Sequence, residues 1–319
     1  MYDAIVVGAR CAGAPLAMLL ARADTAWTDE IEASGLGLLF RRKGSLVLYE
    51  QDPAEGIAEA KILAAHGVRA EMLSAKQAAD RVPGLAVPVT GGRFHPDAYH
   101  TVDPHALVLA LAQRLAAGGG RIERLAVTGF DLADGLVRAL HAGGNRLSFD
   151  HVVLAAGAGA APLAAQLGAR APLTRERGYH LMLKPNSLQL DLPVTFAERG
   201  FVATPMSAGI RLAGTVELGA GRTPDWRRAE ILFQHAGRLF GRHSLTGTTR
   251  WYGDRPTLPD YLPMIGAAPR ARNAVLALGH QHLGLTLAAV TGRLVADLIA
   301  GRPSDLPLAP FRAGRFGKA

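Results

Sequence analysis

The sequence predicts an α/β protein, α+β overall, in which a Rossmann-like nucleotide-binding domain is assembled from separated segments around an interleaved domain with a mixed, largely antiparallel sheet. Three observations carry this prediction. The first 22 residues read as an apolar strand, Ala4-Ile5-Val6-Val7, a turn from Gly8 to Gly13, and a run of helix formers from Ala14 to Leu20. A strand running into glycine recurs twice, at His151 to Ala155 before Ala156-Gly157-Ala158-Gly159 and at Ala274 to Leu278 before Gly279. From Leu173 to Trp251 the pattern changes to period two, with Tyr179, Leu181 and Leu183 alternating, then Phe201 and Ala203, then Ile210, Leu212 and Gly214.

In chain order, Gly8 permits the sharp exit from the first strand and Gly13 the close packing of helix on strand, so that a pyrophosphate can rest on free N–H groups of the helix N-terminus. Arg10 stands where the usual middle glycine would be and places a cation beside those phosphates. The plain alternative is a buried strand and helix joined by a glycine turn. Residues 23–39 have helical spacing and no second apolar strand; Glu30 and Glu32 lie at about the distance of a ribose-binding acid, but in a helical context. Gly44 to Tyr49 reads as a strand, Pro53 to His66 as a helix, Arg69 to Leu73 as a short strand, and Ser74 as the start of a helix closed by Pro83-Gly84. Asp103-Pro104 caps a helix to Ala117 with Leu107, Leu111 and Leu115 on one face, ended by Gly118-Gly119-Gly120. Arg121 to Phe130 and Gly135 to Ala142 are strand-like, Asp225 to Leu239 is a helix, and a last helix follows Gly279 and runs to Ile299. The expected division is 1–40, 98–170 and 256–319 for the nucleotide-binding domain, and 41–97 and 171–255 for the substrate-binding domain. At 156–157 small residues let backbone approach a bound cofactor; an ordinary strand-to-helix turn is the alternative.

The composition narrows the function classes. With 319 residues, 49% hydrophobic and 19% charged, the chain can bury a sizeable core. A single cysteine, Cys11, excludes a disulfide framework and points to a reducing, cytoplasmic setting. No leader and no membrane span is expected. The net charge of +8 comes from scattered arginines without a basic stripe or a nucleic-acid motif, so no nucleic-acid partner is expected, whereas loose attraction to acidic lipid on the inner face of a membrane is compatible with it. No nucleophile elbow supports hydrolysis. His180, His280 and His282 lack a third ligand at suitable spacing, so no metal is expected.

From about residue 23 onward the chain resembles the D-amino acid dehydrogenase branch of the glycine oxidase and D-amino acid oxidase superfamily of flavoproteins. The motifs are Glu176-Arg177-Gly178-Tyr179-His180-Leu181, Phe201-Val202-Ala203-Thr204-Pro205-Met206, Arg211-Leu212-Ala213-Gly214-Thr215-Val216-Glu217, Arg255-Pro256 through Ile265-Gly266, and the closing turn Gly279-His280. The resemblance implies bound FAD, with its pyrophosphate near Gly8, Arg10 and Gly13, a backbone contact near Val127 on the adenine side, and Ala156 and Gly157 passing close to the cofactor. It places Gly284, Leu285 and Thr286 at the pyrimidine edge of the flavin, where N–H groups at a helix start stabilise the charge that accumulates on reduction, and gives Gly279 and His280 turn and flavin-packing roles.

It also implies a D-amino acid or a secondary amine of the D-proline or D-hydroxyproline type as substrate, its carboxylate held by Arg255. The alternative for Arg255 is an ion pair with Asp254 or Asp260. Tyr179 and Tyr252 would close the site, or else are core tyrosines with satisfied hydroxyls. Hydride transfer from a neutral amine needs no protein base, so none is assigned to the histidines. The electron acceptor is a quinone or another carrier, or oxygen; a quinone would suit peripheral membrane contact. Two departures keep other readings open. The opening turn is closer to that of flavin monooxygenases, although their late Gly-Asp-Ala type motif is replaced by Gly279-His280-Gln281-His282. The second strand, its ribose acid and the loop beyond have no counterpart after Arg22, which leaves a non-catalytic or FAD-deficient remnant of the fold as the other alternative.

Overall fold

The structure is a computed structural model that describes Tyr2–Val7 and residues 17–319 other than 66–67, 220, 222, 243–244, 305 and 318–319. In chain order its elements are β1 (Tyr2–Val7), α1 (Ala17–Ser34), β2 (Phe40–Arg41), β3 (Ser45–Tyr49), α2 (Ala54–Ala65), β4 (Glu71–Ser74), α3 (Ala75–Asp80), β5 (Gly91–His95), β6 (His100–Thr101) and α4 (Pro104–Ala117). There follow β7 (Val127–Ala133), β8 (Leu136–Ala142), β9 (Asn145–Leu154), α5 (Ala161–Gln166), β10 (Thr174–Leu183), β11 (Val194–Phe196), β12 (Phe201–Met206) and β13 (Gly209–Leu218). The chain closes with α6 (Arg227–Phe240), β14 (Gly247–Thr257), β15 (Met264–Ala268), β16 (Ala271–Leu278) and α7 (Gly284–Ala300). They form two compact units, Met1–Gly35 with Leu115–Glu176 and Asp254–Ala319, and Leu36–Arg114 with Arg177–Gly253. Residues 98–114, expected from the sequence in the nucleotide-binding domain, fall in the second unit.

The first unit is built on the sheet β15-β16-β9-β8-β7, with β1 on β9. β1, β9 and β16 run parallel, and the apolar run of β9 is buried to its end, as expected for a strand covered on both faces: Val152 and Leu154 are fully buried. On one side Leu154, Leu163, Leu167, Leu258, Met264, Leu276 and Leu278 share a core; on the other Ala23, Ala26, Val153, Ile265 and Val275 pack with Leu287, Val290 and Leu294 of α7. Asn273 is the buried polar knot of this sheet. Its amide nitrogen donates to the carbonyls of Val137 (2.9 Å) and Asp150 (2.8 Å), and its oxygen accepts from the Val137 N–H (2.8 Å).

Three sequence expectations change here. The opening helix does not end near residue 22 but continues to Ser34 as α1, because no glycine or proline interrupts Ala17–Ser34. β7 begins at Val127, not at Arg121: its partner β8 ends at Ala142, opposite Val127, and Gly143-Gly144 then turns the chain, so residues 121–126 have no strand to pair with. On α4, capped by the Asp103 carboxylate accepting from the His105 and Ala106 N–H groups, only Leu107 is buried, and Leu115 is exposed.

The second unit carries the sheet β14-β10-β13-β12-β11-β3-β5-β4, and the unit boundaries fall inside β10 and β14. Its core joins Leu46 and Leu48 of β3, Val194 and Phe196, Phe201 and Ala203, Ile210 and Leu212 to the apolar face of α6 at Leu232, Ala236 and Leu239. Alternation along β12 and β13 follows the period-two reading. Ser74 starts α3 with a reciprocal capping box to Gln77. Among the described residues no helix is long and apolar enough to cross a membrane.

Candidate active site

The parallel register fixes where a site can form. Val7 is opposite Leu154, and Leu154 is opposite Leu276, so β1, β9 and β16 end at one edge of the sheet, where the turns after β9 and β16 leave it. In open sheets of this kind the crevice beyond the carboxyl ends of the strands is the binding edge. Gly8, Arg10 and Gly13, the cofactor residues expected in the first turn, lie outside the described residues.

The second turn follows β9. Ala156 enters it at φ −82°, and Gly157 adopts φ +57°, a left-handed conformation that glycine takes without steric cost. Among the described residues a Cβ built on Gly157 meets no heavy atom within 4 Å. Val127, expected near the adenine side, is the half-buried first residue of β7.

The third turn is the most constrained. Gly279 has φ +76°, and a Cβ there would lie 2.3 Å from Leu258 Cδ1, so only glycine passes. His280 is bridged to Thr257 across the turn, and its Nε2 is hydrogen-bonded to Thr291 Oγ1 at 3.1 Å. Burial pushes the His280 imidazole down to a pKa of about 4, so it is neutral at ordinary pH. Gln281 follows at φ +50°, its N–H donating to the Pro256 carbonyl at 3.1 Å. Its side chain is 2% exposed, and neither Nε2 nor Oε1 has a hydrogen-bond partner; the 3% exposed Thr257 Oγ1 has none either. Gly284 then opens α7 without a side-chain cap, so the N–H groups of Gly284, Leu285 and Thr286 are the unpaired donors of a helix start. Trp27 of α1 fixes this turn from behind, its indole N–H shared between the carbonyls of Leu285 (2.9 Å) and Thr286 (3.0 Å).

Arg255 stands two residues before Thr257. Both alternative partners are engaged elsewhere: Asp260 is held by Arg315 at 2.6 and 3.1 Å, and Asp254 lies 3.9 Å from Arg175. Among the described residues Arg255 makes no hydrogen bond or ion pair. Burial draws its pKa below the ordinary guanidinium value, and the charge of Glu176 works against that shift. Partial covering and, after it, the charge of Arg255 lower the pKa of His282, again opposed by Glu176.

In the second unit Tyr179, Trp226 and Tyr252 form a ring cluster, with centroids 6.1 Å (Tyr179 to Trp226), 6.2 Å (Tyr179 to Tyr252) and 5.7 Å (Trp226 to Tyr252) apart, and the Arg177 guanidinium lies 4.6 Å from the centre of Tyr252. The Tyr179 hydroxyl donates to Glu217 and accepts from the Asp225 N–H at 2.8 Å; burial, then this carboxylate, raises its pKa. Its hydroxyl is thus engaged, as in the core alternative, whereas Tyr252 is half-buried. His180 stacks on Trp251 at 5.2 Å, and burial, then Arg211, pushes its pKa to about 4. Among the described residues no cluster of three metal-ligating side chains exists.

The two later turns fit the flavin end of FAD: an open backbone at Gly157, free helix N–H groups, and a buried side-chain amide and hydroxyl awaiting partners. The ribose side is poorer, since among the described residues β1 pairs with β9 alone. Sequence reasoning passed over Trp27, Thr257 and Gln281. None of the three carried a signal: Gln281 stands between two histidines and Thr257 beside Arg255-Pro256, where a polar residue does not stand out, and only folding brings Trp27 258 positions along the chain to Leu285.

Comparison with known proteins agrees with this geometry. A family model described as FAD dependent oxidoreductase matches residues 4–298. A D-amino-acid oxidase of Bradyrhizobium diazoefficiens is 36% identical over 249 residues, which cover 76% of this chain and 59% of the relative. D-amino acid dehydrogenase 2 of Pseudomonas aeruginosa is 33% identical over 299 residues, 91% of this chain and 70% of the relative. The chain therefore spans about three fifths to seven tenths of the length of these relatives. Among solved structures, glycine oxidase from Geobacillus kaustophilus superposes with a TM-score of 0.86 at 25% identity, covering 96% of this chain and 85% of that one. L-proline dehydrogenase from P. horikoshii shares the fold, with a TM-score of 0.84 at 18% identity over 99% of this chain and 97% of that one.

Proposed function

The chain belongs to the family of FAD-dependent oxidoreductases, and on that premise we propose that it oxidises the C–N bond of a D-amino acid or a related secondary amine, such as a D-proline type substrate. FAD, when bound, supplies the acceptor for the hydride that leaves the substrate carbon. The remaining work belongs to the chain. Arg255 takes the substrate carboxylate: a partly buried guanidinium without an internal ion pair is a standing site for a planar anion, and two charge-assisted hydrogen bonds fix the substrate's orientation. That unpaired Arg255, on the strand bonded to the glycine-histidine turn, is the observation that carries the reading.

The N–H groups of Gly284, Leu285 and Thr286 hold negative charge at the pyrimidine edge of the cofactor, with Trp27 keeping the turn in place. Neutral His280 adds no positive charge and serves as packing and as the partner of Thr291. Tyr252 and the aromatic cluster around Tyr179 would cover the substrate, and Gly8, Arg10, Gly13, Val127, Ala156, Gly157 and Gly279 would hold the cofactor. A quinone or oxygen would reoxidise the flavin, and the net charge of +8 suits peripheral contact with acidic lipid.

One observation favours the second reading, an FAD-deficient remnant of the fold: among the described residues no strand other than β9 pairs with β1, where a second strand would carry the usual ribose acid. The visible spectrum of the purified protein separates the two. Flavin bands at near-stoichiometric occupancy that bleach on anaerobic addition of D-proline, D-alanine or D-hydroxyproline support the enzyme. A protein that stays colourless after reconstitution with FAD supports the remnant.

A further inference from the structure

The buried polar side chains of the first unit set a standard that one residue does not meet. Asn273, 8% exposed, satisfies its amide with three hydrogen bonds. Gln281, at 2% exposure, satisfies neither end, and among the described residues no other side chain buries two orphaned polar atoms. Enclosing a primary amide without partners is unfavourable, and native proteins tolerate it where a ligand completes the bonding. The backbone adds to the cost, since φ +50° is a conformation that a residue with a Cβ rarely takes. Two unfavourable choices at one position, in a turn locked by the Gln281 N–H to Pro256 bond and the Thr257 to His280 bridge, mark a group held ready for something absent. Thr257, at the other side of that bridge, holds a second buried hydroxyl with no partner.

We propose that the Gln281 side-chain amide, with the hydroxyl of Thr257 from the strand bridged to the same turn, is the part of this site that reads the imide edge of the flavin. The inference rests on the FAD-dependent reading above and assigns a chemical partner to a residue that reading leaves unused. The argument is complementarity. A primary amide offers one acceptor and two donors side by side, and a hydroxyl adds a donor. The pyrimidine ring of a flavin offers a donor, N3–H, flanked by two carbonyl acceptors, so the amide oxygen accepts from N3–H, the amide nitrogen donates to one flanking carbonyl and the threonine hydroxyl donates to the other. The adenine and phosphate parts of FAD lack this acceptor-donor-acceptor edge. Rigid placement at φ +50° is then pre-organisation for binding.

The test compares FAD with its N3-methyl analogue, which keeps the ring, the adenosine and the charge but replaces the one donor with a methyl group. Apoprotein is titrated with each, for the wild type, Gln281→Met and Thr257→Val, following flavin fluorescence. The wild type is expected to prefer FAD over the N3-methyl analogue by about tenfold or more, Gln281→Met to bind the two equally with FAD weakened by about tenfold, and Thr257→Val to weaken both alike. As an orphaned amide disfavours the empty protein, Gln281→Met is also expected to raise the melting temperature of the apoprotein while shrinking the rise that FAD brings. Equal wild-type affinity for the two flavins, or a Gln281→Met protein that keeps the preference, overturns the proposal while leaving FAD binding intact. A wild type that binds neither flavin overturns the cofactor reading and the proposal with it. The wild-type comparison needs no substitution, so equal affinities refute the proposal even where a variant fails to fold.

Discussion

Acidification should strike this protein through His280 first. The imidazole is 8% exposed, and its pKa is about 4 in the fold against the ordinary 6.5. A depressed folded-state pKa means that the unfolded chain binds the proton more readily, so the stability held by the neutral ring is fully present above pH 6.5 and is lost as the pH falls toward 4. The full shift corresponds to about 3 kcal/mol, of which about 2.5 kcal/mol is gone by pH 4.5. His280→Gln keeps a nitrogen near Thr291 but cannot titrate. Urea unfolding of apoprotein followed by circular dichroism at pH 7.5, 6, 5 and 4.5 isolates the effect: over that range the wild type should lose about 2.5 kcal/mol more than the variant. His180 shifts in the same direction, and because both proteins carry it, the difference cancels its contribution. Parallel losses in the two proteins would refute the reasoning, since a ring buried as described cannot accept a proton without cost.

Three more expectations follow from the site. Arg255→Met should lower kcat/KM for an amino acid substrate by about 100-fold or more through loss of the carboxylate clamp, with FAD content unchanged; steady-state kinetics and the flavin-to-protein absorbance ratio check both halves. Trp27→Phe keeps the packing of α1 on α7 but removes the donor shared by the Leu285 and Thr286 carbonyls, and should cost about 1 kcal/mol in urea unfolding together with weaker FAD retention. Gly157→Ala meets no neighbour among the described residues, so the melting temperature of the apoprotein should drop only by the equivalent of about 1 to 2 kcal/mol of left-handed strain, whereas FAD titration should show the larger loss as the new methyl meets the cofactor proposed to pass this turn.

Much of the fold was legible because the signals were local. The apolar run at Val152 to Leu154, the helix start at Ser74, the Asp103-Pro104 cap and the burial of Phe201, Ala203, Ile210 and Leu212 each depend on a few residues, and each formed as read. The errors came where a partner decides. Residues 121–126 alternate well enough for a strand but have nothing opposite them, and the helical spacing of residues 23–34 gave no sign that α1 would run unbroken through them. The site divides in the same way. Gly279 and Gly157 could be found from position alone, whereas the freedom of Arg255 depends on Arg315 having captured Asp260, and the isolation of Gln281 depends on what does not reach it. Neither fact has a spacing.

The register that brings three strand ends together also sets the order of events as the chain is made. β1 is complete after residue 7, β9 arrives about 140 residues later, and β16 only with residues 271–278. At roughly 5 to 20 residues per second a ribosome leaves β1 without its neighbour for on the order of ten seconds, and closing so long a loop costs about 3 kcal/mol more than closing a tight hairpin. The parallel pairings of the first unit are therefore slow to close, because their partners lie far apart in the sequence, and the sheet waits for β16. The turn after β16 and helix α7 come later still. All residues of the second unit precede them, so that unit can form before the turn at Gly279 exists.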